Sequence, residues 1–213
     1  MTHDDRPGTP TAPTVPEDCA CIVLAGGRSS RMGRDKASLP IGGRTLLEHV
    51  VARVAPLVRD VVVVAAAGQA LPPTSARVVR DRAPELGPLP ALAAGLATIT
   101  TPWTFLLACD GAFVRPELLR ALAAEAQDSR AVMPRWSGRL QPLVALYART
   151  VAPDVAALVA SGERRLHVVA TLAGVRVVEE ARLTQHDPDG RSFRTVNTPD
   201  EYAAALRDLG FHK

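Results

Sequence analysis

Apolar positions along this chain follow two rhythms. Short, nearly continuous apolar runs occupy Cys19–Ala25, Val61–Ala67, Arg77–Arg80, Trp103–Cys109 and Arg130–Pro134. Runs of this kind, enriched in β-branched residues, predict strands buried on both faces. Between several of them the apolar residues recur at helical spacing. Thr45 predicts an N-cap for a helix from Leu46 to Val58, with Leu46, Leu47, Val50, Val51 and Val54 on one face. Leu89 to Ile99 and Pro116 to Ala126 read as further helices. Such alternation predicts a single-domain, Rossmann-like α/β fold, a mainly parallel sheet with helices on both faces. In such sheets ligands bind beyond the carboxyl ends of the strands. Three segments rich in polar chemistry fall there: Gly26 to Lys36, Asp81 to Leu89, and Asp110.

The second half is less regular. Trp136 to Leu140 reads as a turn or hairpin leading into an apolar run, Pro142–Tyr147. Helices are predicted around Pro153–Ser161 and Arg165–Leu172, and a last strand over Val175–Val178. Thr198 predicts a cap for a closing helix through Leu209.

Composition narrows the class. The chain has 213 residues, of which 47% are hydrophobic, enough for one well-buried domain. Residues 1–17 are polar and rich in Pro and Thr, and are expected to form a disordered tail before a domain over 18–213. They lack the apolar run of a signal peptide, and no stretch approaches the ~20 apolar residues of a membrane helix. The net charge of +3 is spread along the chain. That is weak support for nucleic acid binding, which no aromatic-basic interleaving strengthens, so neither a nucleic acid nor a membrane partner is expected; the balance also suits a small anionic substrate. Cys19, Cys21 and Cys109 do not make a disulfide framework; they read as buried apolar residues in a reducing, cytoplasmic setting. His49, His167 and His186 have no local partners and read as structural or surface residues.

Residues 24–40 carry the most chemistry: Leu-Ala-Gly-Gly-Arg-Ser-Ser-Arg-Met-Gly-Arg-Asp-Lys-Ala-Ser-Leu-Pro. A glycine-rich turn off a strand end lets backbone N–H groups approach phosphate oxygens. Arg31 and Lys36 would add positive charge beside them. Lys36 and Lys213 are the only two lysines in a chain whose other cationic side chains are arginine. A lysine ammonium is a compact point charge suited to phosphate. The segment is not a P-loop, because Asp-Lys-Ala stands where Gly-Lys-Ser/Thr is required. Nor do Gly26, Gly27 and Gly33 fit the dinucleotide fingerprint.

The segment resembles the signature of sugar-nucleotide-transferase-like nucleotidyltransferases. Among these it is most similar to the molybdenum cofactor guanylyltransferases, which share the form Leu-Ala-Gly-Gly…Arg-Met-Gly…Asp-Lys. The resemblance runs in order from about residue 20 to 205. It implies Mg²⁺-dependent transfer of GMP from GTP to the phosphate of molybdopterin, with release of pyrophosphate. Leu24, Ala25, Gly26, Gly27 and Lys36 would bind the nucleotide, and Arg31 and Lys36 would serve catalysis. Molybdenum-insertion proteins and acceptor enzymes would be transient partners.

Asp110 ends a buried strand. From its position alone it is either a metal ligand or an N-cap for the next helix. The resemblance implies the Mg²⁺ site, although Gly111-Ala112 replaces the family's Thr/Met-Pro. Asp81 and the turn at Gly87-Pro88 resemble the family's second nucleotide contact; read alone, they could be a surface loop opening a helix. The asparagine that often ends the preceding strand in the family is absent from Val64–Ala67. Arg165, within Gly162-Glu-Arg-Arg, and Asn197, before Thr-Pro, resemble two late motifs directed at the pterin. Alone they read as a solvated helix start and a turn. Two other readings stay open: a transferase using CTP or another nucleotide on a related phosphate, and a non-catalytic GTP-binding or cofactor-carrier protein.

Overall fold

The computed structural model describes residues 15, 17–25, 35–81 and 87–211, apart from the side chain of Asp81. Most of the tail expected over 1–17 lies outside them; Val15 packs against the core. The elements in chain order are β1 (Cys19–Leu24), β2 (Pro40–Ile41), β3 (Arg44–Thr45), α1 (Leu46–Val54), β4 (Asp60–Ala66), β5 (Arg77–Asp81) and α2 (Pro88–Leu96). Then come β6 (Trp103–Ala108), α3 (Pro116–Ala124), β7 (Ala131–Trp136), β8 (Arg139–Leu140), β9 (Val144–Ala148) and α4 (Ala152–Ala160). The chain closes with β10 (Val175–Val178), α5 (Glu180–Leu183) and α6 (Pro199–Asp208).

The main sheet has the order β10-β7-β9-β6-β1-β4-β5, with β8 hairpinned onto β7. Strand β9 runs antiparallel to both β6 and β7, and the other neighbours along that order are parallel. Leu24 lies opposite both Val64 and Ala108, and Ala66 lies opposite Asp81. The central strands therefore end level, and the chain leaves them along one edge at Ala25 and Asp110.

Side chains alternate across the sheet. Cys19, Cys21 and Val23 of β1 join Phe105, Leu107, Val50 and Leu118 in one core, facing α1 and α3. Ala20, Ile22 and Leu24 join Leu92, Leu106 and Val155 in the other, facing α2 and α4. Helix α2 sits so close that a Cβ on Gly95 would lie 2.7 Å from Ile22 Cδ1, so only glycine fits there. A third, smaller core holds Leu39, Ile41, Leu46, Ala112, Phe113, Val196 and Ala205. It fastens the β2–β3 ribbon, the loop after β6 and the N-terminal approach to α6 to one another. Among the described residues, no helix is long and apolar enough to cross a membrane.

Several expectations are corrected. Helix α1 stops at Val54 and a 3₁₀ turn, Ala55–Leu57, follows, because Pro56 has no N–H to continue the ladder. The helix expected over Arg165–Leu172 is a 3₁₀ segment, Leu166–Thr171. No side chain caps it, and the β-branched Val168 and Val169 disfavour an α-helix. Asp110 does not cap a helix, since α3 begins at Pro116 with Arg115 at the N-cap. The run placed over Pro142–Tyr147 pairs only from Val144 to Ala148, after Val144 N–H closes a turn onto Gln141 O. Both predicted Thr caps are present as full capping boxes, Thr45 with Glu48 and Thr198 with Glu201. Each such cap contributes about 1 kcal/mol.

Candidate active site

Three distant segments meet at the carboxyl edge of the sheet. Lys36 Nζ donates to Asp110 Oδ2 at 2.7 Å and to Asn197 Oδ1 at 2.6 Å. Each residue is placed by a neighbour in the third core: Leu39 after Lys36, Ala112 and Phe113 after Asp110, and Val196 before Asn197. Burying a Leu, Phe or Val side chain contributes about 1.5–3 kcal/mol, so the polar cluster rests on an apolar base. Val196 N–H also donates to Asp110 O at 3.2 Å, tying two of the segments directly.

Each group has a defined orientation. Asp35 caps the 3₁₀ turn Lys36–Ser38, its Oδ1 accepting from Ala37 N–H at 3.0 Å. Asn197 N–H donates to Glu201 Oε2 at 2.7 Å, and its Nδ2 donates to Thr195 Oγ1 at 2.6 Å. Its amide is thereby fixed with the oxygen toward the ammonium. Lys36 and Asp110 are only 17% and 14% exposed. Asp110 Oδ1 is buried and has no hydrogen-bond partner among the described residues. A buried carboxylate oxygen left without a partner is costly unless a cation or water completes it. A cavity of about 110 Å³ lies between the end of β6 and the approach to β9, lined by Ala108, Gly111, Gln141, Leu143, Phe193 and Thr195.

A second region forms where α2 starts. Gly87 has φ +97°, and a Cβ there would lie 3.0 Å from Arg164 O. Glycine is required on both counts. Leu89 N–H donates to Arg164 O at 3.3 Å, so the Gly87-Pro88 turn and the Gly162–Arg165 segment pack together. Arg164 Nη1 donates to Val159 O and Glu163 O, both at 2.9 Å, which fixes it to the end of α4. Arg165 is 69% exposed and pairs with Glu163 through Nε at 3.0 Å and Nη2 at 2.8 Å. These bonds, with the Arg165 and Arg164 backbone N–H groups, hold the Glu163 carboxyl well below the usual range and raise the Arg165 guanidinium.

Residues 21–181 match the family model described as the MobA-like NTP transferase domain. The chain belongs to this family. A Mycobacterium marinum relative named "probable molybdenum cofactor guanylyltransferase" is 38% identical over 195 residues, covering 88% of this chain and 93% of that protein. A solved Archaeoglobus fulgidus structure, titled molybdopterin-guanine dinucleotide biosynthesis protein A, superposes with TM-score 0.76 at 24% identity. It covers 91% of this chain and 100% of that one. A Mycobacterium tuberculosis protein solved in complex with manganese shares the fold, with TM-score 0.59 at 20% identity, and covers 89% of this chain and 98% of that one.

Within this nucleotidyltransferase the expected residues fall into four groups. Lys36, Asp110 and Asn197 converge. The Gly87-Pro88 turn meets the Arg164 carbonyl instead, and Asp81 ends β5 at the same sheet edge. Gly26, Gly27 and Arg31 lie outside the described residues. Leu24 and Ala25 are buried, and their carbonyls already serve the sheet edge: Leu24 O accepts Cys109 N–H at 2.9 Å, and Ala25 O accepts Gln69 Nε2 at 2.9 Å. Gly111 is not among the glycines with positive φ, and a Cβ there would lie 3.3 Å from Ala108 O. The backbone after Asp110 therefore does not demand glycine by its φ, but a side chain at position 111 would press on the Ala108 carbonyl.

Some of the machinery was not singled out from sequence. Gln69, Thr195 and Glu201 hold Asp35, Asn197 and the Asn197 backbone. Only the capping-box spacing of Thr198 and Glu201 could have signalled one of them. His49 has a partner after all: its Nε2 lies 3.0 Å from Ala112 O, next to the Asp110 loop, and burial lowers its pKa. The three cysteines are buried free thiols; burial pushes Cys19 up to about 12 and also raises Cys21 and Cys109.

Proposed function

We propose that the protein transfers GMP from GTP to the terminal phosphate of molybdopterin, releasing pyrophosphate, in a reducing cytoplasmic setting. The observation that carries this reading is the convergence of Lys36, Asp110 and Asn197 at the sheet edge, with one buried Asp110 oxygen left without a partner among the described residues. The family membership supplies the chemistry that such a cluster would serve.

The residues fit a divalent cation. A single carboxylate with an available oxygen suffices for Mg²⁺, which otherwise takes phosphate oxygens and water. Asp110 would hold it, and when bound it would supply charge neutralisation at the nucleotide phosphates. The protein groups do the rest. Lys36 places an ammonium against the phosphate charge that grows on the leaving pyrophosphate. Its contact with Asp110 keeps that ammonium poised at the sheet edge. Asn197, fixed by Thr195 and Glu201, orients Lys36 from the acceptor side. The pterin phosphate oxygen attacks the α-phosphorus in line, and the leaving oxygen departs with pyrophosphate. No protein nucleophile is needed, because positioning and charge carry phosphoryl-type transfer. Gly87-Pro88 and Asp81 would line the base side, while the exposed Arg165 would reach the pterin phosphate.

The test is a thermal-shift series with GTP, ATP, CTP and UTP in the presence of Mg²⁺, followed by pyrophosphate release with molybdopterin. GTP is expected to give the largest stabilisation, since a ligand bound to the native state raises its stability by mass action. A larger shift with CTP overturns the guanylyl assignment. Binding without pyrophosphate release overturns catalysis.

A further inference from the structure

Gln69 stands in the turn after β4, outside every motif. Its side chain is fully committed. Oε1 accepts from Ala66 N–H at 3.3 Å, while Nε2 donates to Ala25 O at 2.9 Å and to Asp35 Oδ2 at 2.7 Å. Only one amide orientation satisfies one N–H donor and two oxygen acceptors, so the assignment of oxygen and nitrogen is fixed by the partners. The turn is itself clamped. Gln69 N–H donates to Ala66 O at 3.1 Å, and Arg80 Nη1 donates to Ala66 O at 3.1 Å and Gln69 O at 2.6 Å.

The two acceptors are not arbitrary. Ala25 is the first residue after β1, and Asp35 is the residue before Lys36. One amide therefore ties together the two positions that bracket residues 26–34. Asp35 also caps the short turn that begins with Lys36, so its carboxylate links Gln69 to the Ala37 N–H of that turn.

We propose that Gln69 is a positioning residue for Lys36: it sets where the Asp35–Lys36 step sits relative to the β1 end, and so where the ammonium meets phosphate. The catalytic part of this inference rests on the function proposed above; the tie itself does not. An ammonium misplaced by about 1 Å costs on the order of 10²-fold in rate. Gln69 touches no reacting atom; it acts through Asp35.

The experiment combines steady-state kinetics with amide hydrogen exchange on the full chain. Gln69→Ala is expected to lower kcat by about 10–10²-fold while KM for GTP changes little. Exchange should speed up over residues 35–39 and stay unchanged in α1 and α3, with a melting temperature close to that of the wild type. Gln69→Glu should be worse, because the new carboxylate faces the Asp35 carboxylate and the Ala25 carbonyl. Adding Asp35→Asn should restore the link, since an asparagine still caps the turn and its Nδ2 can donate to the carboxylate introduced at position 69. The double variant should recover at least about tenfold over Gln69→Glu alone. Wild-type kcat in Gln69→Ala overturns the proposal, as does a double variant no better than Gln69→Glu. If the wild type itself does not turn over GTP, the proposed function fails instead. The exchange arm then decides alone: faster exchange over 35–39 supports the tie, and unchanged exchange removes it.

Discussion

The Lys36–Asp110–Asn197 cluster and the Glu163–Arg164–Arg165 segment are both charged, yet they are built differently. The first joins residues 74 and 161 positions apart, each fastened by a neighbour in an apolar core. Its charges are mostly withdrawn from water, and one carboxylate oxygen has no partner among the described residues. The second is a pairing two residues apart, with its arginine largely in solvent. Charges screened by water are worth little, whereas preorganised charges in a partly dry site act strongly on a developing charge. The proposed function therefore puts the reacting centre at Lys36 and Asp110 and gives Arg165 a part in recognition.

Breaking the first region should cost the most. Lys36→Ala is expected to lower turnover about 10²–10³-fold, as the loss of a transition-state charge contact does, while the fold stays intact. Pyrophosphate release and a melting curve measure both, and activity near wild type would erase the distinction between the regions. Asn197→Ala should follow with a loss of about tenfold or more, the scale of one hydrogen bond to a charged group. Asn197→Asp, which keeps an oxygen toward the ammonium, should recover part of it. Arg165→Ala should change turnover a few-fold at most, through KM for the pterin rather than kcat. A loss there equal to that of Lys36→Ala would mean that the exposed pair is part of the reacting centre.

The smallest effect concerns pH. Burial, the larger influence, lowers the pKa of His49 in the folded protein, against the opposing bond to Ala112 O. The folded state then binds this proton less readily than the unfolded chain, so stability is full above the unfolded pKa of about 6.5 and falls as pH drops below it. Denaturant midpoints at pH 7.5 and 5.5 should show a smaller acid loss in His49→Gln than in the wild type. An equal loss in both would assign the acid sensitivity elsewhere.

Much of this architecture could be read from the chain before its coordinates, for a physical reason. Strands β1, β4 and β6 are covered on both faces, so their sequences are continuous apolar runs. Helix α1 shows its buried stripe residue by residue. The two-residue strands β2 and β3 are too short to carry any periodicity. Strand β9 was legible only as an apolar run after a turn, and its antiparallel direction was not, because local pattern is indifferent to direction. At the site, the types of Lys36, Asp110 and Asn197 were informative; their contact was not, since only the packing of three separate loops on one apolar core creates it. Gln69 was invisible because a lone glutamine in a turn has no sequence signature.

The most direct test of the account is pyrophosphate release by Asp110→Asn across a Mg²⁺ titration, with GTP and molybdopterin present. Asparagine preserves the shape and can still accept from Lys36, but it lacks the charge that binds a hard cation. The account predicts a folded protein whose turnover is lost by about 10²-fold or more and does not return at high Mg²⁺. Turnover close to wild type with an unchanged Mg²⁺ requirement would contradict it.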